Sequence, residues 1–393
     1  PGLMAASAIM LGYAALNWWG LGMMLKSSNA ITIFKLIMPL ATAGLLIFYG
    51  FHTANFDMPS FAPTSWQGVL TAIPASGVLM SFFGFQSVVT MAGEAKNPGR
   101  TVPLAMFGAI SLSLLVYLSL QVAFIGGVPT ALLNIAGHWQ TLTFSSPFAE
   151  LALALGLNWL VLLLYVDAAV SPSGTGLAYV AQSSRLLRGV QQNGHLPKAL
   201  GGLHSLYGTP RVAIAVCLLL SFAFLFIFRG WGNLAEMITV MMVIGMLPAP
   251  LALAGLRRHA PQLLPDRNHT WLKCIELLAF VVITLLFYWA KWPQTGKALL
   301  VVAAGLPLFF WYEWKAGRSP ATAVQGGTWL ILWLLVMTSL SWYFGTIHDN
   351  SHAPGWDELI VIVVAGCFYF WGASGSTLTP KLERACRDGV ETD

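Results

Sequence analysis

Long apolar runs alternate with short polar connections along the whole chain. A membrane-spanning helix needs about 20 apolar residues. Runs of that kind fall near 2–24, 30–52, 67–93, 103–127, 155–184, 211–229, 233–256, 272–290, 297–313, 327–345 and 358–375, which predicts eleven spans. The ninth is short and ends in Trp311, Tyr312 and Trp314, as an interfacial belt would. The connections at 53–66 and 128–150 are longer, and the second is predicted to hold a short helix lying over the bundle.

Composition supports lipid as the solvent. The chain is 57% hydrophobic and 9% charged, with 16 tryptophans and a mean hydropathy of +0.71. A soluble domain carries about 25% charged residues, so these 393 residues could not cover a water-facing surface. The four cysteines lie far apart, without a CxxC pair or neighbouring histidines, which argues against a disulfide framework or a zinc site. The eight histidines are scattered, and none forms the paired constellation that haem ligation needs.

Lysines and arginines set the orientation. Alternate connections hold Lys26; Lys96 and Arg100; Arg185, Arg188, Lys198 and Arg211; Arg257, Arg258, Arg267 and Lys273; Lys315 and Arg318; and Lys381, Arg384 and Arg387. That puts sixteen on one side against Arg229, Lys291 and Lys297 on the other. Positive loops stay in the cytoplasm, so the C-terminus is expected inside and Pro1 outside. The chain enters apolar sequence directly from Pro1, with no basic flank or cleavage signal. A trimmed chain would explain this; we read it as a fragment whose earlier spans are missing.

Ionisable groups inside spans are candidates for function. Lys35, in NAITIFKLIMPL, lies about 9 Å from the inner end of the second span at 1.5 Å per residue. A lysine there could snorkel to the interface, but Lys26 and its polar neighbours already mark that end, and desolvation at this depth suits a proton carrier. Asp167, in VLLLYVDAAVSPSGTGLAYV, is deeper. Asp167, Ser171 and Thr175 recur every four residues and share one helix face, while Pro172 loosens the turn. That stripe suits a cation or ammonium group lining a pathway, or else an interhelical hydrogen-bond seam.

The third span carries Pro74, Gly77 and Gly84, poor helix formers in series, with Ser81-Phe82-Phe83-Gly84-Phe85 about midway. A break there would expose backbone N–H and C=O groups at the bilayer midplane, where a solute can be held. A merely kinked helix is the alternative.

At this point a resemblance enters. FGFQSVVTMAGEAKNPGRTVPLA resembles the sixth-helix signature of amino acid permeases in the amino acid–polyamine–organocation group. GYAALNWWGLGMMLKSSNAITIFKLIMPL is similar to that family's fourth and fifth helices, and SGTGLAYVAQSSRLLRGVQQNGHLPKALGGLHSLYGTPRVAIAV to its eighth helix and the loop into the ninth. The likeness runs over about residues 10 to 260. It implies an all-α, polytopic, leucine-transporter-like fold of two inverted five-helix repeats, with the eleven spans as helices 4–14 of fourteen. Residues 1–52 would then end the first repeat, 66–258 form the second, 270–376 add four accessory spans, and 377–393 make a cytoplasmic tail. The resemblance also implies that Lys35 takes the place of a sodium ion, so that coupling is to protons. Met80, Ser81, Phe83, Gly84 and Gln86 match its substrate shell. Many relatives carry glutamate where Gln86 stands, and a neutral amide cannot titrate.

The expected function is a proton-coupled amino acid symporter of the bacterial inner (plasma) membrane, represented by a fragment lacking its first three helices, with aspartate or glutamate as the first substrate guess. Its partners would be the amino acid, protons and the lipid bilayer, with no nucleic acid, cofactor or metal. An amino acid or polyamine exchanger of the same fold is the alternative. A membrane-embedded enzyme would need clustered His, Cys or paired carboxylates, and a channel would need rings of like residues along a pore.

Overall fold

In the computed structural model, the described residues are 2–19, 21–57, 69–70, 72–73, 78–85, 88–89, 92, 95–136, 139–227, 231–264, 270–315, 317, 320–344 and 355–376. All regular structure among them is helical. In chain order the α-helices are α1 (Gly2–Trp18), α2 (Leu21–Gly50), α3 (Val78–Ser81), α4 (Pro98–Gly127), α5 (Thr130–Ala136), α6 (Pro147–Ala154) and α7 (Asn158–Gln192). They continue with α8 (Arg211–Ile227), α9 (Trp231–Met246), α10 (Pro248–His259), α11 (Thr270–Trp289), α12 (Gln294–Lys315), α13 (Pro320–Trp342) and α14 (Trp356–Ser374). Short 3-10 turns occupy Thr53–Phe56, Trp139–Thr141, Lys198–Gly201 and Pro261–Leu263.

Helices dominate because a backbone in hydrocarbon must satisfy its own hydrogen bonds. Seven stretches among the described residues are long and apolar enough to cross a membrane, and Gly2–Trp18, Arg211–Ile227 and Gly326–Trp342 are shorter apolar helices. These ten cover ten of the eleven expected spans. The remaining one, 67–93, is described only in pieces. Large apolar side chains stand outward on the long helices: Phe48 is 82% exposed and Phe107 72%. Such a surface is stable facing acyl chains and would aggregate in water.

Several boundaries differ from expectation. α7 runs to Gln192, well past residue 184, because its Ser, Gln and Arg residues continue a helix without strain. Its 35 residues make a rod of about 52 Å, against a hydrocarbon core of about 30 Å. One end of α7 must therefore project beyond the hydrocarbon. The span expected at 233–256 is two helices meeting at Leu247, where Pro248 and Pro250 remove backbone donors. The ninth span, expected to be short, has 22 residues. The 128–150 connection holds α5, the 139–141 turn and the start of α6.

The chain divides into two compact units, Pro1–Pro63 with Phe82–Ile227, and Thr64–Ser81 with Phe228–Asp393. In the first, α2 lies against α4 and α7, α1 against α7 and α8, and α6 against α7. Its buried clusters join Ala43, Leu46, Ala123, Val128, Leu133 and Leu151, and Met38, Ala152, Leu157 and Leu160. Fully buried Asn55 ties off the end of α4: its Nδ2 donates to the carbonyls of Ile125 and Val128, both at 2.8 Å. Those oxygens have no further helical turn to accept from. Asn55→Ala should therefore lower stability by about 2 kcal/mol, read as earlier thermal unfolding in detergent.

In the second unit, α11 packs with α13 and α14 around Phe280, Phe287, Trp333, Met337, Val361 and Ala365. The Phe287 and Trp333 rings lie 4.9 Å apart. Arg257 Nε stands 3.0 Å from Glu276 Oε1, and Tyr369 Oη donates to Glu276 Oε2 at 3.2 Å, so a buried carboxylate is neutralised and held from two helices. Tyr288 Oη donates to Asp357 Oδ2 at 2.6 Å, and Gln294 donates to Glu236. α3 packs against α9.

Candidate functional site

The middle of α7 is where apolar sequence gives way to Asp167, Ser171, Pro172, Ser173, Gly174, Thr175 and Gly176. Pro172 is accommodated inside the continuous helix. From α2, Lys35 Nζ donates to Thr175 Oγ1 at 2.6 Å. Lys35 and Asp167 also act on each other through their charges, and Ser171 interacts with the Asp167 carboxyl. Asp167 Oδ1 is buried without a hydrogen-bond partner. An ammonium and a hydroxyl thus meet on the α2–α7 interface, with Asp167 about two turns away along α7 and close enough to act on the ammonium through charge, inside segments long enough to span the bilayer.

Glycine allows the approach. A Cβ on Gly174 would sit 2.6 Å from Ile31 Cγ2, and one on Gly176 would sit 2.4 Å from Tyr13 Cε2. Bare backbone at these two positions lets α1 and α2 press onto α7, as small residues do between membrane helices. Tyr13 Oη donates to Ser173 Oγ at 2.9 Å, and Ser173 Oγ donates on to the Ala169 carbonyl at 2.7 Å. Asn17, buried on α1, donates to the Tyr13 carbonyl at 2.9 Å and the Leu177 carbonyl at 3.3 Å. The sequence reading missed Tyr13 and Asn17. The small-polar run SGTG marked where a neighbour would approach, but not which helix would supply it.

In the third span, α3 ends at Ser81, whose Oγ donates to the Val78 carbonyl at 2.9 Å. Phe82 to Phe85 then form a turn in which Gly84 has φ +123°, and Val88 N donates to the Phe85 carbonyl at 3.1 Å. A φ in that region suits glycine, because a Cβ would collide with the backbone. The helix is therefore interrupted around Gly84. The Phe82 ring meets Tyr117 of α4 edge-on at 5.3 Å. Met80 and Ser81 fall at the end of α3, Phe83 and Gly84 fall in the turn, and Gln86 lies outside the described residues.

Among the described residues no three His, Cys, Asp or Glu side chains gather to hold a metal ion. Cys217, Cys274 and Cys367 are free.

Comparisons with known proteins give this geometry a context. The glutamate/serine transporter AimA of Bacillus subtilis (strain 168) is 42% identical over 98% of this chain and 72% of its own length. The aspartate-proton symporter of the same organism is 30% identical over 93% of this chain and 71% of its own. A polyamine transporter of Oryza sativa subsp. japonica is 29% identical, over 51% of this chain and 35% of its own. These relatives are transporters, not enzymes. The pattern of the amino acid permease family matches residues 1–312, and with the all-helical, membrane-spanning architecture described above it places this chain in that family, within the amino acid–polyamine–organocation superfamily.

Proposed function

We propose that this chain acts as a proton-coupled amino acid symporter of the bacterial inner membrane, importing serine and the acidic amino acids. The observation that carries this reading is the Lys35–Thr175 hydrogen bond beside Asp167, within spanning helices. A lysine so placed can hold a proton on the way across and release it when α2 and α7 rearrange. The broken stretch at Phe82–Gly84 offers backbone groups to the main-chain end of an amino acid. Met80, Ser81, Phe83 and Gly84 surround that end, Phe83 closes over it, and Asp167, Ser171 and Thr175 line the pathway. Residues 66–258 make up one inverted repeat, and 270–376 add four accessory spans. The sixteen basic loop residues face the cytoplasm, with the C-terminus on the same side. The two Bacillus relatives, a glutamate/serine transporter and an aspartate-proton symporter, support both the substrate class and the coupling ion.

Charge bookkeeping supplies a test in proteoliposomes. Serine is a zwitterion, so one serine with one proton moves a net charge. A potential of about 100 mV then supplies about 2.3 kcal/mol, or roughly fiftyfold accumulation. Glutamate with one proton is electrically neutral. Its accumulation should ignore the potential and follow the pH gradient, about tenfold per pH unit. Serine uptake that answers to neither gradient, and proceeds only against a loaded counter-substrate, would replace the symporter with an exchanger.

A further inference from the structure

Two contacts fix how α2 and α7 lie against each other. Ile31 of α2 meets Gly174 of α7, and Gly50 at the end of α2 meets Leu155 just before α7 begins. The two helices therefore run antiparallel. Lys35 stands one turn beyond Ile31, which puts its Cα level with about Val170. From that height Thr175 lies roughly 7.5 Å toward the end of α7, and Asp167 roughly 4.5 Å toward its start, at 1.5 Å per residue. The lysine is thus rooted between two acceptors, and its flexible four-carbon stem can carry the ammonium to either. In this structure it has gone to Thr175.

Asp167 is placed to be the other partner. Leu164, Asp167, Ser171 and Gly174 follow one another at helical spacing on the protein-facing side of α7, whereas Val166 and Ala168 are exposed. Asp167 Oδ1 is buried and accepts no hydrogen bond. A buried acceptor left this way costs free energy until a donor reaches it. The elements packed on α2 and α7 carry other charges only near helix ends or in a turn: Lys26, Arg100, Glu150, Arg185, Arg188, Lys198 and Arg211. Tyr13, which faces this stretch from α1, already donates to Ser173. Lys35 is the cation at this depth, and it and Asp167 act on each other through charge.

We propose that Asp167 is the second seat of the Lys35 ammonium, which swings between Asp167 Oδ1 and Thr175 Oγ1 during transport. This deepens the symporter reading above and rests on it. Beside the carboxylate, the charged form of the lysine is favoured. Beside Thr175 it faces a neutral hydroxyl, which gives no such hold. The ammonium gives its proton to water from that seat, on the side of the basic loops, and the neutral amine returns to Asp167 to be loaded from the opposite side. Asp167 is a positioning residue that acts through Lys35.

The test is the pH profile of serine uptake by the whole chain in proteoliposomes. Asp167→Asn should keep uptake coupled but move its half-maximal pH about one unit to the acid side, because more protons must replace the lost carboxylate. Asp167→Glu should restore the parent profile. Thr175→Val removes the other seat, leaves the lysine with Asp167, and should move the midpoint to the alkaline side. A purely structural Asp167 would lower uptake equally at every pH. An Asp167→Asn midpoint equal to that of a coupled parent overturns the second seat and leaves the symporter standing. A parent whose uptake follows neither gradient removes the symporter reading itself, and the swing with it. If Asp167→Asn does not fold, Thr175→Val decides, since an unmoved midpoint there also overturns the swing.

Discussion

Lys35→Ala should reduce potential-driven serine accumulation in proteoliposomes from about fiftyfold to about onefold. The ammonium group is the cationic side chain that the α2–α7 interface presents to Thr175 and Asp167. Without it the passage of serine gathers no proton, and the potential has nothing to act on. Counterflow of labelled serine down its own gradient should persist at a measurable rate, which separates lost coupling from lost folding. Lys35→Arg sharpens the test, because a guanidinium keeps its proton at any accessible pH. That variant should also fail to concentrate serine, and its residual uptake should be flat across the pH range where the parent responds. A Lys35→Ala protein that still concentrates serine more than about tenfold would remove the lysine from the coupling mechanism.

The second large effect concerns the two glycines. Gly176→Ala brings a methyl group to within 2.4 Å of the Tyr13 ring, and Gly174→Ala brings one to within 2.6 Å of Ile31 Cγ2. A tyrosine ring is stiff, and this one is held by its bond to Ser173, so the helices must separate. Each substitution should cost about 1–3 kcal/mol, as overpacking does. It should also cost uptake, because the widened interface loses the Tyr13–Ser173 and Lys35–Thr175 bonds together. Gly189, on the same helix, has open space at its Cβ position. Gly189→Ala should be neutral or stabilise by up to about 1 kcal/mol through helix propensity. Thermal unfolding of the three purified variants reads the difference. Tyr13→Ala in the Gly176→Ala background should recover part of the loss, since the colliding ring is gone. Unfolding of Gly176→Ala at the parent's temperature would show that the close approach is not needed.

The spans were legible because a run of about 20 apolar residues is a local property, readable without knowing what surrounds it. A weak point near Gly84 was legible for a similar reason, since Gly84 weakens its own helix whatever packs beside it, but the turn at Phe82–Phe85 rather than a kink was decided by the folded chain. Helix ends were less so. α7 outran its expected end because Ser184, Arg185 and Gln191 are as welcome in an aqueous helix as in a loop. The Leu247 junction was hidden because Pro248 and Pro250 bend an apolar run without ending it. Lys35 and Asp167 were each picked out as costly charges in lipid, yet nothing in the chain assigned them to each other.

The sequence by itself determined the solvent, ten of the spans and the family signature, and marked the third span as weak near Gly84, all of which rest on residues close together in the chain. The tertiary structure alone decided which faces meet: Lys35 with Thr175 across 140 residues and Tyr13 with Ser173 across 160. The physical reason is that lipid removes the usual guide. In water a helix declares its buried side by an apolar stripe. A membrane helix is apolar all round, so its partner is chosen by small-residue fit and a few hydrogen bonds that only the folded chain brings together.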